Sequence, residues 1–352
     1  MSRIRVLVVE DSLTVRKRLC EILDADPGFQ VVGEAEDGKQ AIELCLALRP
    51  DVVTLDMMLP VMSGLAATEY IMAYCATPIL VVSSSVNRGE LFKTYEALVA
   101  GAVEVMEKPR ADEPDGDWEQ RFVAMLRLVA RVKVITHLRG RLAPVRNVPA
   151  ARAAPAAPGP VQPCKLVALG ASTGGPSAMV AVLRALPAGF AVPVLVVVHI
   201  GEPFGVALAE WLDGQTTHTV RMAQDGQALG ARGVFLAPPN RHLVVRHARL
   251  HLTDGPERHS CRPSVDVLFE SLAAEYGPGV AACVLTGMGA DGARGLLAIR
   301  QAGGVTLAQD EASSVVYGMP REAALLGAAQ RVLPLAEIGP ALAALAPPGS
   351  KT

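Results

Sequence analysis

Short apolar runs of β-type composition alternate with amphipathic helical stretches along most of this chain, and that alternation leaves few folds open. In the first half the runs Arg5 to Val9, Val31 to Glu34, Asp51 to Leu55, Ile79 to Val82 and Val103 to Met106 read as strands. Helical patterns such as Thr14 to Leu23 and Lys39 to Leu48 lie between them. A strand–helix repeat of this kind predicts a parallel sheet covered on both faces. The second half repeats the style with Leu166 to Leu169, Val194 to Val198, Val234 to Leu236, Val280 to Leu285 and Val305 to Leu307. Helical patterns follow several of these, at Ser177 to Leu186, Ala293 to Gln301 and Arg321 to Leu326. The expected class is α/β: two doubly wound parallel-sheet domains, the first a (βα)5 unit and the second Rossmann-like.

The chain has 352 residues, too many for one core and enough for two. The division falls where the composition changes. Trp118, Phe122, Met125, Leu126, Val129 and Val132 recur at helical spacing. From Ala143 the sequence then runs through alanine and proline to Pro163, which cannot build a packed core. The expected division is 1–125 for the first domain, 126–163 for a helix and Pro/Ala-rich linker, and 164–345 for the second domain.

Composition excludes several partners. Lys plus Arg is 33 and Asp plus Glu is 35, so the formal charge of -2 gives no general pull on nucleic acid or anionic membrane. Aromatic residues are 4%, too few for base-stacking platforms. No apolar run approaches the roughly 18 residues of a membrane span. The longest, Val192 to Ile200, is interrupted by Pro193 and His199. The N-terminus meets Glu10 and Asp11 straight after a short apolar run and does not read as a signal peptide. The six cysteines are scattered without a C-x-x-C, so reduced thiols in a cytoplasmic protein are expected.

Ligands of open α/β sheets bind at the carboxyl ends of the strands. In the first half those ends carry Glu10, Asp11, Asp56, Ser83 and Lys108. Converging carboxylates repel, and a hard divalent cation such as Mg²⁺ relieves that. Asp56 can then act as a nucleophile toward a phosphoryl donor, with Lys108 and Ser83 on the phosphoryl oxygens. Each acid taken alone could merely cap a helix; five groups in this order are harder to explain that way. The segments Val8 to Ser12, Leu55 to Pro60, Ser63-Gly64, Val82 to Ser84 and Lys108-Pro109 resemble those of response-regulator receiver domains. The resemblance covers roughly residues 3–125. It implies phosphorylation of Asp56 by a histidine kinase and Mg²⁺ at Glu10, Asp11, Asp56 and the Met58 carbonyl. Val105 departs from the pattern, because receivers usually carry a rotating aromatic there.

In the second half, Gly170, Ser172 and Gly174 form G-x-S-x-G between a strand and a helix, the context that exposes a nucleophilic serine. The same glycine-rich turn could also serve only as a helix cap. His199 closes the apolar strand Val194 to Val198, and Asp291 follows the strand Val280 to Leu285. Three strand ends thus supply nucleophile, base and orienting carboxylate. Their order, Ser–His–Asp, is not that of α/β-hydrolases. His242, His247 and His251 read as part of a solvated hairpin. Gly287, Gly289 and Gly292 also spell G-x-G-x-x-G, a dinucleotide fingerprint. It stands late in its domain, and it leaves the serine turn and His199 without a role.

Residues 164–340 resemble the chemotaxis protein-glutamate methylesterases, the CheB family. The matching segments are Gly170 to Pro176, Val197 to Ile200, Ala237-Pro238, Arg262 to Asp266, Leu285 to Gly292 and Ser314 to Pro320. Departures cluster after the histidine: Val198 replaces a frequent Gln, and Gly201-Glu202-Pro203 replaces a proline-rich turn. The resemblance implies Ser172 as nucleophile, His199 as base, Asp291 as its partner, and Thr173 and Met288 N–H groups as the oxyanion hole. It implies phosphorylation-activated hydrolysis of glutamate methyl esters on methyl-accepting chemotaxis receptors. Deamidation of receptor glutamines is the second activity expected. No cofactor is expected for the ester chemistry, and a monomer is expected. A neutral His199 predicts activity that falls as pH drops through its pKa, about 6.5 if unperturbed. The competing reading is a phosphorylation-gated adaptor that binds receptor helices without hydrolysing anything. A DNA-binding regulator finds no helix-turn-helix signal.

Overall fold

The structure is a computed structural model, and it describes residues 3–84, 88–109, 116–134, 163–230 and 232–347. Most of the expected linker therefore lies outside the described residues.

The N-terminal elements are β1 (Ile4–Val9), α1 (Leu13–Ala25), β2 (Phe29–Ala35), α2 (Gly38–Leu48), β3 (Val52–Leu55), α3 (Gly64–Tyr74), β4 (Ile79–Ser83), α4 (Arg88–Ala100), β5 (Glu104–Glu107) and α5 (Asp117–Val129). All pairings are parallel, in the order β2-β1-β3-β4-β5. β3 and β4 are buried along their whole length, which is why they read as unbroken apolar runs instead of alternating ones. Side chains place the helix starts: Asp37 accepts from the Lys39 and Gln40 N–H groups at 2.8 and 2.9 Å, capping α2. On α5, Trp118, Phe122, Leu126 and Val129 are buried at three- and four-residue spacing. That helix continues past residue 125, so the expected boundary there cuts through it.

The C-terminal elements are β6 (Leu166–Ala171), α6 (Gly175–Ala185), β7 (Val194–Val198), α7 (Glu202–Gln215), β8 (Val220–Met222), β9 (Val234–Leu236), β10 (His242–Arg246), β11 (Arg249–Thr253), α8 (Val265–Tyr276), β12 (Val280–Val284), α9 (Ala293–Gln301), β13 (Val305–Gln309), α10 (Met319–Leu325), β14 (Arg331–Leu333) and α11 (Leu335–Ala343). Seven strands form a parallel sheet in the order β14-β13-β12-β6-β7-β9-β8, and β10 and β11 make a separate antiparallel hairpin. Sequence reasoning missed β8 and β14. Both are three-residue edge strands that bury one residue each, so neither shows as an apolar run.

One expectation is corrected. His242 does not belong to a solvated face: it is 2% exposed, with Nδ1 accepting from the Ser264 N–H at 3.1 Å and Nε2 3.0 Å from the Pro256 carbonyl. The hairpin packs on α8, which removes that side of β10 from water.

The two sheets meet through α4, which packs on α6 and α7. The Tyr95 hydroxyl donates to the Phe204 carbonyl, and its ring lies 5.0 Å from that of Trp211. The Ser177 hydroxyl donates to the Leu98 carbonyl at 2.8 Å, and Arg88 pairs with Glu210 at 2.9 Å.

Candidate active site

The strand ends fix the positions of serine and histidine. β6 and β7 pair with Ala171 opposite Val198, and the His199 N–H donates to the Ala171 carbonyl at 3.0 Å. Ser172 and His199 are the next residues on strands that run about 4.8 Å apart. The turn after Ser172 needs Gly174, whose φ of +76° is left-handed and whose Cβ would meet Val315 at 2.6 Å. Gly287 lets the loop after β12 approach: a Cβ there would stand 2.7 Å from the Ser172 Cβ.

That loop carries Asp291, buried at the N-terminus of α8. Its carboxylate accepts from the Ser264 hydroxyl and Val265 N–H at 2.7 Å each, and from the Asp266 and Gly292 N–H groups at 3.0 Å each. Unsatisfied donors at a helix start favour an anion. Asp291 Oδ2 also lies 2.8 Å from His199 Nε2. Burial alone would raise the Asp291 pKa, but His199 and these donors hold it below its usual value. Burial would lower that of His199. The Asp291 bond and the neighbouring Cys261 thiol outweigh it and push the imidazole up to about 9.

The other ring nitrogen of His199, Nδ1, faces Cys261 Sγ at 3.6 Å. Among the described residues the Ser172 hydroxyl makes no hydrogen bond. The structure thus joins His199 to Asp291 and places Ser172 beside them in register. It does not link Ser172 to the ring, because Asp291 and Cys261 face both ring nitrogens. Thr173 is buried, and Met288 is 58% exposed. Neither N–H donates to another described residue. On the receiver side, the Glu104 carboxyl of β5 reaches the Thr173 side chain; desolvation raises its pKa and that contact offsets part of the rise.

The acidic cluster also assembles. One ligand oxygen each from Glu10, Asp11 and Asp56 lies within 4.8 Å of the others. Lys108 Nζ bonds Asp56 Oδ2 at 2.8 Å and Glu10 Oε1 at 2.9 Å. Burial raises the Glu10 pKa against the opposing pull of Lys108. Among the described residues, Asp56 Oδ1 and Ser83 Oγ are buried without a hydrogen-bond partner. Orphaned oxygens beside a hard-donor set fit a divalent cation and a phosphoryl group. Met58 is 41% exposed at the rim.

Residues 167–342 match the CheB methylesterase family, and residues 6–114 match the response regulator receiver domain. The chain belongs to the CheB methylesterase family. Over 339 residues it is 45% identical to a protein-glutamate methylesterase/protein-glutamine glutaminase of Anaeromyxobacter dehalogenans, covering 96% of both chains. A protein of the same name from Myxococcus xanthus is 45% identical over 90% of each chain. The crystal structure of the Thermotoga maritima CheB methylesterase catalytic domain superposes with a TM-score of 0.50 at 34% identity, covering 52% of this chain and 98% of that one. The fold is accordingly a receiver-type sheet followed by a CheB-type catalytic sheet.

Several residues of this CheB-family site escaped sequence reasoning. Ser264, inside the matched segment Arg262 to Asp266, was given no role of its own, yet it caps α8 and holds Asp291. Gln309 is buried and accepts from the Thr286 N–H at 2.8 Å, bracing the loop under Ser172. Cys261 and Glu104 gave no local signal, because their roles depend on groups 62 and 69 positions away in the chain (261 − 199 and 173 − 104).

Proposed function

We propose that this chain hydrolyses glutamate methyl esters on methyl-accepting chemotaxis receptors, and deamidates receptor glutamines, under the control of phosphorylation at Asp56. Family membership makes it a hydrolase of the protein-glutamate methylesterase/protein-glutamine glutaminase class. The observation that carries the mechanism is the buried His199–Asp291 pair at 2.8 Å, one strand from Ser172.

With Nε2–H held by Asp291, Nδ1 is the nitrogen with a free lone pair. It exchanges Cys261 for the Ser172 hydroxyl and takes its proton as Oγ attacks the γ-carbonyl. Thr173 and Met288 N–H groups, which donate to no other described residue, receive the oxyanion. The proton passes to the departing methoxide, which leaves as methanol, or in deamidation to the amide nitrogen, which leaves as ammonia. Water activated by the same nitrogen then releases the glutamate. A base of raised pKa must lose its proton before it can act. In chelator-treated protein, kcat/KM is therefore expected to climb as pH rises from 6.5 toward about 9. A profile already flat from pH 6.5 upward would contradict His199 as that base.

In the receiver, Glu10, Asp11, Asp56 and the Met58 carbonyl would hold Mg²⁺, which when bound neutralises the carboxylates facing an incoming phosphoryl group. Asp56 Oδ1 is the attacking oxygen, and Lys108 and Ser83 bind the transferred group. The phosphodonor is a histidine kinase. Phosphorylation replaces the single carboxylate charge of Asp56 by an acyl phosphate of about 1.5 to 2 negative charges, a net gain of about 0.5 to 1. These charges disturb the face formed by α4 and β5, which carries the contacts of Tyr95, Leu98 and Glu104 to the catalytic side. Docking covers the Thr173 turn, and undocking opens it. A full shift from 1:99 to 99:1 needs about 5.5 kcal/mol, and a partial one still raises turnover. Removing residues 1–150 is expected to increase basal methanol release. An unchanged or lower rate from the folded fragment would count against inhibition by docking. No helix among the described residues is long and apolar enough to cross a membrane.

A further inference from the structure

The thiol of Cys261 is neither nucleophile nor base in the proposed hydrolysis, yet it stands against His199, the base of that reading. We propose that Cys261 and His199 form a binding site for Zn²⁺, and that occupying it switches hydrolysis off. The inhibitory half of this inference rests on the reading of His199 as the base.

The argument is geometric. On one tetrahedral zinc, with Zn–S about 2.3 Å and Zn–N about 2.1 Å, a sulfur and a nitrogen stand about 3.6 Å apart. Cys261 Sγ and His199 Nδ1 are 3.6 Å apart. The pair already has the sulfur–nitrogen spacing that a shared zinc requires. The far side of the ring is also prepared, because Nε2 is held by Asp291 Oδ2 at 2.8 Å. A carboxylate behind the imidazole fixes the tautomer and raises the basicity of the metal-facing nitrogen. His199, Cys261 and Asp291 offer atoms within 4.8 Å of one another. Asp291, however, accepts four hydrogen bonds from Ser264, Val265, Asp266 and Gly292, so it orients the ring and does not ligate.

Cys261 and His199 are only part-buried, so water completes the coordination. Two protein ligands give reversible binding, unlike the four of a structural site. A thiolate ligand selects Zn²⁺ over the Mg²⁺ that suits the oxygen-only receiver cluster. On binding, the Cys261 thiol and the protonated Nδ1 each give a proton to solvent, and the Nδ1 lone pair goes to the metal. That lone pair is the one needed to take the proton of Ser172.

Co²⁺ tests the site without relying on turnover, since a thiolate ligand gives it a charge-transfer band in the near ultraviolet. The full chain, kept in excess Mg²⁺, is expected to show that band and to lose it when Zn²⁺ is added. The band is expected to persist in Ser172→Ala and to be absent in both Cys261→Ser and Cys261→Ala. Methanol release by the unaltered chain is expected to fall about 100-fold or more in saturating Zn²⁺, the scale of losing a general base, and to return with EDTA. Cys261→Ser is expected to keep its own metal-free rate when Zn²⁺ is added. No band, a band that survives both cysteine substitutions, or equal zinc sensitivity in Cys261→Ser would each overturn the proposal. Failure of the esterase reading looks different: the metal-free chain releases no methanol, while the cobalt band still reports the site.

Discussion

Replacing Ser172 by alanine is expected to lower methanol release from a methylated receptor fragment by a factor on the order of 10⁶, the loss typical of a deleted triad nucleophile. Little else should change. Ser172 bonds its surroundings through the backbone, with its N–H on the Thr286 carbonyl at 3.0 Å and its carbonyl taking the Gly175 N–H at 2.6 Å. Both bonds survive the substitution, and among the described residues the hydroxyl makes none. Binding of the receptor fragment and the unfolding midpoint should therefore stay close to those of the unaltered chain. This experiment also separates the enzyme from the adaptor. A chain that only binds receptor helices releases no methanol in either form. Near-normal release by Ser172→Ala would move the nucleophile elsewhere.

Changing Asp291 to asparagine is expected to cost on the order of 10⁴ in kcat, as losing an orienting carboxylate does in other triads. It should also lower the pH at which kcat/KM levels off, because Asp291 is a main cause of the raised His199 pKa. Here the fold is affected too. The carboxylate only accepts, and it faces the Ser264 hydroxyl, the Val265, Asp266 and Gly292 N–H groups and His199. An amide NH₂ among those donors leaves at least one buried group unpaired, at about 1–3 kcal/mol. A lower unfolding midpoint together with a displaced pH profile is the expected signature. If only the midpoint fell, with kcat and the profile intact, Asp291 would be a brace for α8 and not the partner of the base.

Much of the architecture was legible because burial writes itself into local pattern. β1, β3, β4, β6, β7, β9, β12 and β13 announced themselves as apolar runs. Trp118, Phe122, Leu126 and Val129 announced α5 through helical spacing. The residues at the strand ends could be named because a parallel sheet gathers the carboxyl ends of its strands on one side. The edge strands β8 and β14 stayed hidden because each buries one residue of three, whereas β9, equally short, is buried throughout and reads as an apolar run. His242 was misjudged because a charged, histidine-rich hairpin looks solvated until α8 is laid across it.

By itself the sequence carried the family and the two parallel sheets and offered Glu10, Asp11, Asp56, Ser172, His199 and Asp291 as candidate site residues, because local composition and strand-end position single these out. Tertiary structure alone decided which nitrogen of His199 faces which partner, that α8 rather than α9 receives most of the Asp291 carboxylate, that Cys261 stands against the ring, and that Glu104 reaches Thr173. Those are contacts between segments far apart in the chain, at separations where one ångström decides whether a proton or a metal can be shared. Local pattern reports which side chains are buried. It does not report their distances.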